Sequence, residues 1–316
     1  MKFVYILICN DDNFFAEQTL VSMFSLRYYN PKANIVLIVD QDTSLYLNKS
    51  NNKIFDYIDD IIIATVPNEL SPKKKSRFLK TSLRLLIDGD YIYLDCDTII
   101  CGSLREMLSM NCQMGAVIDN HGLLDNFQFY DYMNKTHNRY IKFCNYFNTG
   151  ILFVKDTPLT REFYKDWHNH FLKDMQQFDY DFDQPSCNII NHKYEIIQKL
   201  EDKFNFQLIT PSIGEHRVEK ALIIHYFTSI ECLNMFFPFR ELYFIKKIRN
   251  KGINEEMKAI ILNSKDFIYS MSCYLDEREK QIYISPVVVL ARKISRDYPW
   301  TNKLVQRLYR LFGFKI

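Results

Sequence analysis

Glycine and proline are scarce in this chain, with 8 and 9 among 316 residues. So few breakers exclude collagen-like, linker-like and other low-complexity architectures. They also leave no glycine-rich phosphate loop after the first strand, where Asn10-Asp11-Asp12-Asn13 stands instead. No apolar run approaches the ~18 to 20 residues needed to span a bilayer. The N-terminal Met1-Lys-Phe-Val-Tyr-Ile-Leu-Ile-Cys9 runs directly into that polar cluster without a small-residue cleavage site, so it reads as a buried strand and not as a secretory leader. Excess charge is missing too: a net +2 with 25% charged residues carries no nucleic-acid signature. The eight cysteines include no C-x-x-C pair, which points to reduced thiols in a cytosolic protein.

Aromatic residues are plentiful, 25 Phe and 21 Tyr, and the length is enough to bury a large core. Residues 3–9, Asn34–Val39, Ile61–Val66 and Tyr91–Leu94 are continuous apolar runs of the kind that form buried parallel strands. Helical patterns alternate with them over Phe14–Tyr29 and over the basic segment Lys73–Ile87, as in a doubly wound α/β sheet. Further strands are expected at Met114–Ile118, Gly150–Val154 and Ala221–His225, and helices at Leu159–Phe171 and Gln184–Asn191. From Phe239 the composition turns helical and basic. This places a boundary near residue 235, with a catalytic domain over 1–235 and a helical region over 236–316. No internal repeat is present.

The segment Tyr91-Ile-Tyr-Leu-Asp95-Cys-Asp97 ends a strand with two carboxylates. Residues two apart on an extended chain share a side, so Asp95 and Asp97 can converge while Cys96 faces away. Paired carboxylates suit a hard divalent cation that keeps positions open for phosphate oxygens. The same spacing recurs at Asp40/Asp42, Asp88/Asp90, Asp179/Asp181 and Asp181/Asp183. Asp95/Asp97 follows a buried strand, and ligands of open α/β sheets collect at carboxyl strand ends. Asp11, Asp12 and Asn13 suit either nucleotide contact or capping of the next helix. His225 ends a strand and is either a metal ligand or a structural imidazole. Asp183 is an ordinary helix N-cap type, and Arg77 and Lys80 fit a solvated basic face equally well.

Taken in order, Cys9-Asn10-Asp11-Asp12-Asn13-Phe14, Tyr93-Leu94-Asp95-Cys96-Asp97, Phe147-Asn148-Thr149-Gly150, Asp183-Gln184 and Ile223-Ile224-His225-Tyr226 resemble the motifs of glycosyltransferase family 8, the bacterial galactosyltransferase and glycogenin-like group. The resemblance spans about residues 2–226. It implies a GT-A fold, a UDP-sugar donor, bound Mn²⁺ (or Mg²⁺) and transfer with retention of anomeric configuration. By it, Asp95, Asp97 and His225 are the metal ligands and Asp183 and Gln184 the catalytic pair at the sugar. Cys9, Asp11, Asn13, Arg77, Lys80, Asp95, Cys96, Asp119, Asn148 and Thr149 would line the donor.

One departure stands out. The family commonly follows its histidine with Gly and then Lys-Pro over the diphosphate, whereas Thr228-Ser229-Ile230-Glu231-Cys232-Leu233 occur here. Arg77, Lys80 or a C-terminal residue would have to supply that charge. Residues 289–316 carry Arg292, Lys293, Arg296, Lys303, Arg307, Arg310 and Lys315 against Asp297 alone. Trp300, Leu304, Leu308 and Leu311 form a stripe at helical spacing, which fits either an interfacial helix on an anionic membrane or a helix docked on the core. The expected protein is therefore a cytoplasmic hexosyltransferase, peripheral to the inner face of the membrane, acting on a glycan or lipid-linked acceptor of a bacterial surface polysaccharide. Two alternatives are a metal-dependent nucleotidyltransferase and a non-catalytic glycan-binding or membrane scaffold.

Overall fold

The computed structural model describes residues 1–119, 132, 136, 145–208, 218–227, 237–269 and 285–287. The altered segment after His225 and the basic stripe beyond residue 288 lie outside the described residues, and so does the expected boundary near 235.

Strands and helices alternate first. β1 (Lys2–Leu7) is followed by α1 (Phe15–Tyr29), β2 (Asn34–Val39), α2 (Gln41–Lys49) and β3 (Asp60–Ile63). Then come α3 (Pro72–Thr81), α4 (Leu83–Leu86), β4 (Tyr91–Leu94), β5 (Thr98–Ile100), α5 (Arg105–Leu108) and β6 (Met114–Ala116). After β7 (Ile151–Val154) stand α6 (Pro158–Phe178), α7 (Asp183–Tyr194), β8 (Ile197–Lys199), β9 (Phe206–Gln207) and β10 (Ile223–His225). Three helices follow: α8 (Leu242–Lys251), α9 (Glu255–Leu262) and α10 (Ser264–Tyr269).

The main sheet has the order β3-β2-β1-β4-β7-β6-β8, and a small sheet has the order β5-β10-β9. β1, β2, β3 and β4 run parallel, while β7 is antiparallel to β4 and β6. The sheet is therefore mixed and not uniformly doubly wound. Period-two alternation divides its faces cleanly: Phe3, Tyr5 and Leu7 enter one core, Val4 and Ile6 the other.

α1 is buried continuously from Ala16 to Leu26 instead of along one stripe. The cause is that β5, a three-residue strand, packs against the helix in addition to the main sheet. Ser22 and Ser25 meet it with small polar side chains: Ser22 Oγ lies 2.7 Å from Thr98 Oγ1 and 3.0 Å from the Tyr5 hydroxyl on β1, and Ile100 N donates to Ser25 Oγ at 2.9 Å. Phe244, Ile245, Ile248, Met257 and Ile261 from the later helices join the core that contains Leu20 and Phe24.

Local chemistry sets the helix ends around the site. Ser71 caps α3 by accepting from Lys74 N, with Pro72 at the first position, where its missing N–H costs nothing. The expected single helix over 73–87 is broken at Ser82, which separates α3 from α4. Thr157 and Thr160 cap α6 reciprocally. α6 extends to Phe178, beyond the expected Phe171, and Asp179 then turns the chain with φ 51°.

Candidate active site

The carboxyl ends of β1 and β4 lie side by side, in register from Lys2 opposite Tyr91 to Val4 opposite Tyr93. The chain leaves β4 through Asp95-Cys96-Asp97 and returns as β5, whose Thr98 pairs with His225 on β10. That turn brings the small sheet's histidine to the main sheet's acidic end. His225 Nε2 lies 3.3 Å from Asp97 Oδ1 and 3.8 Å from Asp95 Oδ2. Among the described residues this is the one trio of His, Cys, Asp or Glu whose ligand atoms all fall within 4.8 Å of one another.

The imidazole is oriented by a chain of amides. Gly150 N and Asn205 Nδ2 both donate to Asn148 Oδ1, each at 2.9 Å. That leaves Asn205 Oδ1 facing His225 Nδ1 at 3.3 Å as an acceptor, with Nε2 turned toward the carboxylates. Phe227 stacks against the ring, with centroids 3.9 Å apart, from a backbone held at φ 46°. A left-handed conformation in a Phe costs about 1–2 kcal/mol, strain of the kind that gathers at functional sites.

Gly150 lets these groups meet. Its φ lies outside the left-handed region, so a glycine is not required there by backbone conformation. A Cβ there would fall 2.2 Å from His225 Cε1, 2.7 Å from Nδ1 and 2.9 Å from Asp95 Oδ2.

Asp183 apart, the members of the other four Asp pairs have structural employment. Asp40 caps α2 through Thr43 N and pairs with Lys75 at 2.9 Å, and Asp42 joins the same lysine. Asp88 pairs with Arg161, and Asp90 accepts from Asp156 N. Asp179 and Asp181 meet Lys74 and Lys73 on α3.

Arg77 and Lys80, one helical turn apart on α3, turn inward. Lys80 is only 1% exposed. Its ammonium bridges Asp95 Oδ1 at 3.2 Å and Asp183 Oδ2 at 3.3 Å, and lies 4.9 Å from the centre of the Tyr93 ring. Tyr93 also donates its hydroxyl to Asp95. Arg77 Nε meets Asp183 Oδ1 at 2.9 Å. Burial works against both charges of this pair, yet each partner outweighs it: Arg77 is held above its usual pKa by Asp183 and Asp95, and Asp183 is held below its own by Lys80, Arg77 and Thr149. A solvated basic face is therefore wrong for these two residues. Asp183 is not the helix cap either; Phe182 occupies that position, and the carboxylate points into the site.

Gln184, one residue on, is fixed at both ends of its amide. Nε2 donates to Asp119 Oδ2 at 2.6 Å, and Oε1 accepts from Thr149 N at 3.2 Å. Asn148 Nδ2 donates to the same Asp119 oxygen at 3.2 Å, and Thr149 Oγ1 to Asp183 Oδ2 at 2.9 Å. A continuous polar network thus runs from Asp119 through Gln184, Thr149 and Asp183 to Lys80 and Asp95.

Cys9 and Cys96 are neutral thiols. Burial drives both upward, Cys96 to about 12, and its Sγ donates to the Ile6 carbonyl at 3.1 Å. Cys96 thus ties β4 to β1 and offers no thiolate. Asp11 and Asn13 share the carboxyl edge of the sheet, where Asn13 Oδ1 accepts from Phe15 N at 3.3 Å and so contributes part of a helix cap. Asn205 and Tyr93 have no place in the expected site. The alternation of Phe204, Phe206 and Leu208 is the signal that could have revealed β9 and the asparagine beside it.

Two carboxylates and an imidazole, from Asp95, Asp97 and His225, make a donor set that fits one divalent cation with oxygen and nitrogen ligands.

Comparison with protein-family models gives no match. Comparison with curated protein sequences gives none either. The likeness lies in solved structures. Mouse xyloside xylosyltransferase 1 matches with a TM-score of 0.51 over 73% of this chain and 98% of its own, at 11% identity. The glycosyltransferase GlyE of Streptococcus pneumoniae TIGR4 matches at 0.50 over 83% of this chain and 63% of its own, at 16% identity. The galactosyltransferase LgtC, solved with donor and acceptor sugar analogs, matches at 0.49 over 82% of this chain and 99% of its own, at 15% identity. At such identities the likeness speaks of architecture and not of activity: the chain has the GT-A glycosyltransferase fold.

Proposed function

We propose that the chain is a retaining family 8 glycosyltransferase that moves a hexose from a UDP-sugar to a glycan or lipid-linked acceptor, with Mn²⁺ or Mg²⁺ held by Asp95, Asp97 and His225. The observation that carries the reading is the convergence of those three groups at the carboxyl edge of the sheet, beside a buried Asp183-Gln184 pair held by hydrogen bonds. A bound divalent cation would neutralise charge on a diphosphate leaving group.

The chain's own residues supply the rest. Arg77 and Lys80 add positive charge near the diphosphate, in place of the lysine missing after His225. Asp183, ionised and clamped, binds sugar hydroxyls. The Gln184 carbonyl keeps one lone pair beyond its bond to Thr149 N, and that pair steadies positive charge developing at the anomeric carbon. Asn148 and Asp119 brace Gln184 and line the sugar. Asp11 and Asn13 bind the nucleoside. In this reading residues 1–235 are catalytic, and 236–316 form a helical extension whose basic end associates with an anionic membrane during surface-polysaccharide synthesis. No described helix is long and apolar enough to cross a membrane.

The test is incubation with a panel of nucleotide sugars and Mn²⁺, reading released nucleoside diphosphate. Release that disappears in Asp97→Ala supports the assignment. Pyrophosphate release instead would make the chain a nucleotidyltransferase, and an inverted anomer in the NMR spectrum of the product would overturn the retaining mechanism.

A further inference from the structure

α8 lies far beyond β1 in sequence, yet one of its side chains holds the loop at the end of that strand. Arg249 meets the Glu17 carboxylate in two contacts, Nε to Oε1 at 2.7 Å and Nη2 to Oε2 at 3.1 Å. Nη1 also donates to the Asp11 carbonyl at 3.0 Å, and Nη2 to the Asn13 carbonyl. The guanidinium carbon lies 4.4 Å from the centre of the Phe14 ring. One planar group therefore grips Asp11, Asn13, Phe14 and Glu17 at once.

This is more than surface charge pairing. Glu17 is 4% exposed on α1, and a carboxylate buried that far needs a bonded partner. The loop itself has little else to hold it. Its other hydrogen bonds are local: Asn10 Oδ1 accepts from Asp12 N and Asn13 Nδ2, and Asn13 Oδ1 from Phe15 N. Among the described residues, the bonds that fasten residues 10–14 to a distant element come from Arg249. They engage main-chain carbonyls only, so the Asp11 carboxylate stays exposed.

We propose that Arg249 is a positioning residue for nucleoside recognition: it fixes the main chain of Asp11–Asn13 in the shape that presents these residues to the base and ribose of a nucleoside diphosphate. The inference rests on the donor-site reading above. Holding a loop in its bound shape before the ligand arrives removes an ordering cost from binding. Lysine cannot do the same, because a point charge lacks the fork that spans Glu17 and two carbonyls. α8 thereby belongs to the donor site, although its composition groups it with the C-terminal helices.

Calorimetric titration of the full chain, with Mn²⁺ present, against UDP, ADP, GDP and inorganic pyrophosphate separates nucleoside from diphosphate recognition. The wild-type chain is expected to prefer one nucleotide over pyrophosphate. In Arg249→Met that nucleotide should weaken about tenfold or more, the scale of a lost charged hydrogen-bond set, while pyrophosphate changes by less than about twofold. Arg249→Lys should recover little of the preference, and Glu17→Gln should lose part of it. Retention of the full preference in Arg249→Met overturns the inference, as does equal weakening of nucleotide and pyrophosphate. If Arg249→Met lacks a cooperative thermal transition, the same ratio in Arg249→Lys and Glu17→Gln decides. A wild-type chain that binds no nucleotide better than pyrophosphate overturns the donor reading itself.

Discussion

Gly150→Ala adds one methyl group at a position where the structure has no room for it. The new Cβ would stand 2.2 Å from His225 Cε1, about 1.2 Å short of the 3.4 Å at which ordinary contact begins. The ring cannot retreat freely, being 2% exposed, bonded through Nδ1 to Asn205 and stacked on Phe227. Asp95 Oδ2, 2.9 Å from the same methyl, is crowded as well. Overpacking of this kind costs about 1–3 kcal/mol. The sharper effect falls on metal binding, because ligand distances tolerate only about 0.2 Å, and even outer-shell disturbances lower affinity by about 10- to 100-fold. Mn²⁺ affinity should therefore fall at least that far.

Gly89→Ala is the matched control. Its φ is +77° and nothing lies within 4 Å of the added carbon, so it should lose about 1–2 kcal/mol through backbone strain and leave Mn²⁺ affinity untouched. Thermal melts read the first quantity and Mn²⁺ titration, by calorimetry or electron paramagnetic resonance, the second. A Gly150→Ala chain that binds Mn²⁺ as the parent does would show that Asp95, Asp97 and His225 are not the metal site.

Gln184→Ala should lower donor turnover by about 10²-fold or more with a small change in donor affinity, since its carbonyl acts on charge that develops only in the transition state; an unchanged rate would remove it from the chemistry. Asp183→Asn should weaken sugar binding and turnover together, and it leaves Arg77 and Lys80 short of their shared carboxylate. Lys75→Met tests the buried pair at the end of β2. Burial opposes ionisation of Asp40, but Lys75 and Thr43 hold its pKa below 3.8, so in the parent this contribution is complete above that pH and fades as pH falls through the lower folded value. The variant should lose about 3 kcal/mol at neutral pH, and the deficit should shrink as pH falls, starting above the ordinary carboxylate range because burial raises the pKa of the orphaned Asp40. A deficit independent of pH in denaturant titrations would contradict the pairing.

How much of this was legible in the amino-acid string depended on the range of the forces involved. β2 and β4 occupy the spans their apolar runs predict, because a strand buried on both faces needs nothing beyond its own side chains to be recognised. β5, three residues long, carries too little pattern to be seen, and β9, two residues long, shows only in the short alternation of Phe204, Phe206 and Leu208, so the second sheet is hard to read from the sequence. Its absence also hid why α1 is buried continuously from Ala16 to Leu26. In the site, the pairing of Asp95 and Asp97 at a strand end is legible in the sequence, although the turn between β4 and β5, and not strand periodicity, places both carboxylates. The placing of His225 is not legible there, since it depends on β10 pairing with β5 more than a hundred residues earlier in the chain.

The basic helix shows the same limit in electrostatic form. Lys73, Lys74, Arg77 and Lys80 look like a solvated face when α3 is read alone, and Asp179, Asp181 and Asp183 look like an acidic turn. Folding sets one against the other, Lys73 with Asp181, Lys74 with Asp179, and Arg77 and Lys80 with Asp183. The outer pairs are partly exposed and contribute little, about 0–1 kcal/mol each. The inner ones are buried, and there ion pairing is costly unless every charge is bonded. A chain selected only for stability would more simply place apolar residues at 80 and 183. Keeping Lys80 at 1% exposure between two aspartates makes sense where a charged ligand is to share the cluster, and the trio Asp95, Asp97 and His225 beside it has the donor types that suit a divalent cation.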